Sequence, residues 1–182
     1  MGLTTFGVVS PGSLTDTWDP AAGSTSIAQG EPGTIHVVRR GAGQYSIVKV
    51  IQMYATTRCS VGDVLMQSTG SAGGDIATVA IAAQEGQIPK AIAAASIASG
   101  RRGYGIIGGI ATAIVSDMGT NGLWLTVSGS TAAALGKDRG SGFGVTTLAL
   151  TSSYQIVART NQVATNSASG AFMQTHIIGL WG

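Results

Sequence analysis

Few residues in this chain have types that could do chemistry: two histidines, His36 and His176, one cysteine, Cys59, eight carboxylates, and a glycine run, GYGIIG at 103–108. The glycine run fits the dinucleotide pattern G-x-G-x-x-G, whose backbone cradles a pyrophosphate only where a strand leads into it and a helix leaves it. Here it is followed by GIATAIV, a β-branched stretch that ends at Asp117 and Gly119, too early for a crossover helix. No acidic residue stands about twenty positions further on to hold a ribose hydroxyl. With 28 glycines in 182 residues, such a triple arises by chance on the order of once. Nucleotide binding is therefore not expected.

Hydrolytic chemistry fares no better. The sequence lacks G-x-S-x-G, so it has no nucleophile elbow, and each histidine falls inside a candidate strand, where imidazoles are usually packed or surface groups. The carboxylates Asp16, Asp19, Glu31, Asp63, Asp75, Glu85, Asp117 and Asp138 stand mostly beside Gly, Ser or Thr. Turn capping explains them more simply than a glycosidase pair. There is no calcium-loop spacing, and one cysteine permits neither an internal disulfide nor a cysteine metal site. Neither a cofactor nor a metal is expected.

The elements that would have to position any site read as β. Alternating or β-branched runs at 35–38, 45–54, 64–67, 76–83, 88–97, 105–115, 123–128, 144–150, 154–159 and 172–181 are separated by glycine turns at 41–43, 70–74, 100–103, 119–122 and 136–140. About ten short strands at this spacing predict an all-β domain, an antiparallel sandwich or barrel, over 35–182. The alanine-rich 88–99 is the one stretch that also suits a short helix. Residues 1–34 carry Pro11, Pro20 and Pro32 without a period and read as an extended N-terminal arm, long enough at roughly 110 Å to lie across a neighbouring subunit or to wrap its own domain. A 60-residue offset places Ile47 on Ile107, Gly62 on Gly122, Leu65 on Leu125 and Ser68 on Ser128. That fits a duplicated β unit, and also coincidence in a Gly- and Ser-rich chain.

Composition narrows the partners. Ten basic and eight acidic residues give a net charge of +2, too slight a bias for nucleic acid or an anionic membrane, and 5% aromatics are too few for base stacking. No apolar run approaches the roughly 20 residues that span a bilayer, and the first residues, MGLTTF, carry no targeting signal, so the chain is expected to fold where it is made. Charge is sparse: 10% of residues, against roughly 25% in ordinary soluble domains. That is about one charge per 450 Å² of the surface expected for this mass. Such a surface favours association, and subunit contacts are expected to cover part of it.

Candidate interface residues follow. Arg39 with Arg40, Arg101 with Arg102, and Arg139 are turn cations suited either to solvent or to bidentate pairing with a neighbour's acids. Trp18 is a lone aromatic anchor in the arm, and Tyr104 is an aromatic between glycines at a loop.

The stretch GYGIIGGIATAIV at 103–115, followed by NGLWLTVSGS at 121–130, resembles the small β-rich head decoration, or cement, proteins of tailed bacteriophages, and QIVAR at 155–159 and HIIGLW at 176–181 look like the closing strands of such a domain. The likeness is close over 103–130 and general over 45–182; the arm has no counterpart. The resemblance implies a non-enzymatic virion protein on the outer capsid surface, made in the host cytoplasm. Its implied partners are the major capsid protein and itself, commonly as a homotrimer. The alternatives are a tail or fibre module that binds a host-surface glycan, or an enzyme of another type.

Overall fold

β-branched runs interrupted every few residues by glycine favour short paired strands over helices. The computed structural model, which describes residues 14–19, 33, 35–40, 46–67, 75–78, 89–116, 124–127, 133–137, 158–160 and 171–177, is all-β, and no helix occurs among these residues. In chain order the strands are β1 (Ile35–Arg40), β2 (Ser46–Ala55), β3 (Val64–Gln67), β4 (Asp75–Thr78), β5 (Ala91–Ala93), β6 (Arg102–Ser116), β7 (Trp124–Val127), β8 (Leu135–Lys137), β9 (Ala158–Thr160) and β10 (Ala171–Ile177). The strand expected at 144–150 lies outside the described residues.

Two expectations are corrected. The alanine-rich stretch is no helix: 91–95 are all buried, with Ala91 and Ala93 between β3 and β6, where only small side chains fit. The glycine turn expected at 136–140 begins inside a strand, since Leu135–Lys137 pairs with both β6 and β7.

Pairing is antiparallel except for β2 with β4 and β6 with β8. The pairs β2–β4, β4–β3, β3–β5, β5–β6 and β6–β2 form a circuit of five strands. The pairs β6–β8, β8–β7, β7–β9, β9–β10 and β10–β6 form a second circuit of the same topology, sharing β6 with the first. The registers also repeat. Leu65 opposite Thr78 corresponds to Leu125 opposite Lys137, and Val64 opposite Ile92 to Trp124 opposite Arg159. Likewise Ala55 opposite Ile76 corresponds to Val115 opposite Leu135, Val50 opposite Ile106 to Ile110 opposite His176, and Ile92 opposite Ile106 to Arg159 opposite His176. The 60-residue offset seen in the sequence thus holds for β2 onto β6 and for β3 onto β7. The repeat is one of backbone register, with few identical side chains.

A bulge separates the two roles of β6. Ile106 stands opposite Val50 but Gly108 opposite Lys49, so β6 carries one extra residue there, and Gly109 follows at φ +90°, a conformation glycine adopts readily. An inserted residue reverses the alternation of a strand. Tyr104 and Ile106 before the bulge and Ala111, Ala113 and Val115 after it therefore join one buried cluster, together with Val48, Val50, Val64, Ile92, Leu135, Ala158 and Ile177. A second cluster, Met53, Ala55, Cys59, Leu65, Ala91, Ala93 and Ile97, fills the other side of the first circuit.

The glycines of the false nucleotide motif supply clearance at this second cluster. A Cβ on Gly103 would lie 2.6 Å from Ile97 Cδ1, and one on Gly105 would lie 2.6 Å from the Ala91 Cβ and collide with the Met53 methyl. A strand that serves two circuits has to be slim. The turn before β3 ties the circuits together: the Gly62 carbonyl accepts from the Ile114 N–H at 3.0 Å, and the Val64 N–H donates to the Ala133 carbonyl at 2.8 Å.

Candidate interface beneath the Trp18 segment

Of the arm, residues 14–19 and Gly33 are described, and 14–19 lie on their own chain. The Trp18 N–H donates to the Arg102 carbonyl at 3.1 Å and the Arg102 N–H donates back to the Trp18 carbonyl at 2.9 Å, an antiparallel bridge at the start of β6. The Trp18 ring sits 5.2 Å from the Tyr104 ring at 53°, and Leu14 also packs on the first cluster. An aromatic anchor expected to be available to another subunit is engaged in cis.

Tyr104 is likewise relocated. Its glycine neighbours suggested a loop, but it lies in β6 and is 2% exposed, because those glycines are there for packing on the opposite face. Burial first, and the Asp16 carboxylate second, push its phenol above the ordinary value, so it stays protonated at neutral pH.

Two residues that sequence reading did not place in a site complete this one. Gln52 stands directly opposite Tyr104 in the β2–β6 ladder and is 0% exposed, and His36, on β1 opposite Val50, meets the Tyr104 ring edge-on at 6.2 Å. Among the described residues neither the amide nitrogen nor the amide oxygen of Gln52 finds a hydrogen-bond partner, and neither does Nε2 of the buried His36. Buried polar side chains are rarely left in this state. The sequence held a signal for Gln52: it continues the row Val48, Val50, so a polar group falls on an apolar face.

Arg102 is half-buried at the Trp18 bridge, and Arg101 is exposed in the turn before β6, its carbonyl accepting from the Ala55 N–H at 2.9 Å. Arg39 and Arg40 end β1 opposite Ile47 and Ser46. Arg139 lies outside the described residues.

Reactive groups elsewhere are quiet. Cys59 is fully buried, bridged by backbone to Ile97, and its thiol donates to the Thr57 carbonyl at 3.3 Å. Burial, and then the Asp63 carboxylate, raise its pKa to about 11. Burial also raises Asp63, while the Ser60 N–H donated to its carboxylate at 2.7 Å acts the other way and closes the turn before β3. Among the described residues no group of three His, Cys, Asp or Glu gathers as metal ligands would. Nor is any helix there long and apolar enough to cross a membrane.

No protein-family model matches the chain, and no curated protein matches it. Among solved structures it is similar to the crystal structure of the head fiber gp8.5 N base in bacteriophage phi29, with a TM-score of 0.48 and 14% sequence identity, over 70% of this chain and 92% of that one.

Proposed function

We propose that this chain is a non-enzymatic structural protein of a phage virion, a decoration subunit that binds the outer surface of the head and stabilises it through contacts among copies. The observation that carries the reading is the scarcity of charge, 10% of residues, on a chain whose described residues are all β and whose long shared strand is rich in glycine and alanine. Many weak contacts between identical subunits become strong through multivalency, and the homotrimer is what the resemblance implies. The resemblance at 103–130 supports the same role. In this reading 35–182 is a β-sandwich or barrel domain, 1–34 its arm, and the major capsid protein its partner.

The test is direct. Purified protein at micromolar concentration, mixed with shells of the parent particle, is expected to co-sediment with them and to run as a trimer in light scattering. A monomer that ignores shells overturns the reading.

One observation favours a second reading, a fibre or tail module that binds a host glycan. Trp124, Arg159, His176 and Ile110 occupy consecutive register positions across β7, β9, β10 and β6. An aromatic, a cation and an imidazole in one row suit a sugar. Trp124→Ala, rather than a change at the buried Tyr104, then has to lower glycan affinity; a glycan array without hits removes this reading.

A further inference from the structure

The strand β1 stands at one end of the ten-stranded order and pairs with β2 alone among the described residues, whereas every other strand pairs with at least two. Its pairing with β2 runs from Ile35 to Arg40 without a register shift, and its sequence, IHVVRR, holds neither proline nor carboxylate and keeps its cations at one end. Proteins commonly guard an edge strand with prolines, bulges or charges along its length, because the outward N–H and C=O groups template another strand. Ile35, at the unguarded end, is 51% exposed, more than any other large apolar residue described.

We propose that β1 is an interface between copies of this chain, pairing antiparallel with β1 of a second copy about a two-fold axis at Val37. Every other described strand already has partners on two strands, so copies that join edge to edge meet at β1, and the contact is isologous. The register follows from burial. Directly opposed residues share a face of a sheet, and His36 is buried on the core side, so both cores lie on one side of the joint sheet when odd positions oppose odd ones. An axis at Val37 meets that condition and sets Ile35 opposite Arg39 of the second copy; an axis at Val38 also meets it but leaves Ile35 beyond the end of the partner strand. With the axis at Val37 the Arg39–Arg40 pair of each copy lies at the end where the other copy has Ile35, so like charges stay apart. The aliphatic stem of an arginine covers an apolar neighbour while its guanidinium stays in water, which suits Arg39 to the exposed Ile35. A parallel pairing would instead bring the four guanidiniums together. The contact goes beyond the virion role proposed above and needs no shell. It closes at two copies, so where a threefold contact also exists it joins one trimer to another.

The experiment measures mass by light scattering at micromolar concentration for the unsubstituted full chain, Ile35→Leu and Ile35→Lys, each checked for fold by circular dichroism. Ile35→Lys puts a cation opposite Arg39 and is expected to halve the mass, from dimer to monomer or from paired trimers to single ones, while Ile35→Leu is expected to keep it. Val37→Cys sets two thiols at the axis, and mild oxidation is expected to give a covalent dimer, whereas the buried Cys59 of the unsubstituted chain gives none. Equal mass for Ile35→Lys and the unsubstituted chain, or no covalent dimer from Val37→Cys, overturns the pairing and leaves the virion role standing. Paired chains that ignore shells support the pairing and remove the virion role.

Discussion

The two strand circuits share a register and differ in what they carry on it. In the first, the row Val64, Ile92, Ile106, Val50 is wholly apolar and buried; in the second, the corresponding row is Trp124, Arg159, His176, Ile110. The interior positions differ in another way. Met53 stands opposite Gly103 and Ile51 opposite Gly105, whereas in the second circuit Ala113 stands opposite Met173 and Ala111 opposite Thr175. Large and small exchange places across the ladder, and β6 is the slim partner both times. Topology here follows from where volume is withheld, while one register row takes different residue types in the two circuits.

The largest expected effect comes from forcing the second circuit's residue into the first. Gly105→Thr should cost about 3 kcal/mol or more, since the Met53 methyl has to move and the Ala91 Cβ, 2.6 Å from the new Cβ, is fixed to its backbone, whereas Thr175→Gly at the corresponding site should cost about 1 kcal/mol. Urea denaturation of both variants checks this, and equal losses would break the comparison. Next, Met53→Ala empties the first interior and should cost about 2–4 kcal/mol in the same assay.

The bulge gives a third, smaller contrast. Lys49 and Gly109 are corresponding residues, yet only Gly109 has φ +90°. Gly109→Ala should cost about 1–2 kcal/mol, and exposed Lys49→Ala within about 0.5 kcal/mol, both read from thermal unfolding.

The shallowest effect is in pH. The Cys59 thiol is raised from 9.0 to about 11 in the fold, so between those values the unfolded chain holds fewer protons than the native one. Stability should therefore decline as pH rises from about 9 to about 11, and Cys59→Ala should flatten that decline in urea midpoints taken across the range.

Much of this was legible in the sequence where local pattern suffices. The run at 64–67 became β3 with the same ends, and the 60-residue offset marked two strands of the second circuit. What escaped depended on partners distant in the chain. Leu135–Lys137 is three residues long and gains its strand character from β6 and β7, so its glycine read as a turn. Ala91–Ala93 lay in a run read as strand that also suited a short helix because alanine is favoured there, and pairing with β3 and β6 decided for strand. Tyr104 read as a loop residue because its glycine neighbours signal turns when clearance is not considered. The cluster around Tyr104 was invisible for the same reason: Trp18, His36, Gln52 and Tyr104 come from four separate stretches.

Sharing β6 also has a mechanical consequence. Two domains joined by a linker can part at the linker, but these circuits are joined through fifteen residues of continuous strand, hydrogen-bonded to β2 and β5 on one stretch and to β10 and β8 on the next. A load applied to either circuit reaches the other along covalent backbone, and must shear rows of hydrogen bonds together before anything separates. That makes the chain a single tie and not two links in series.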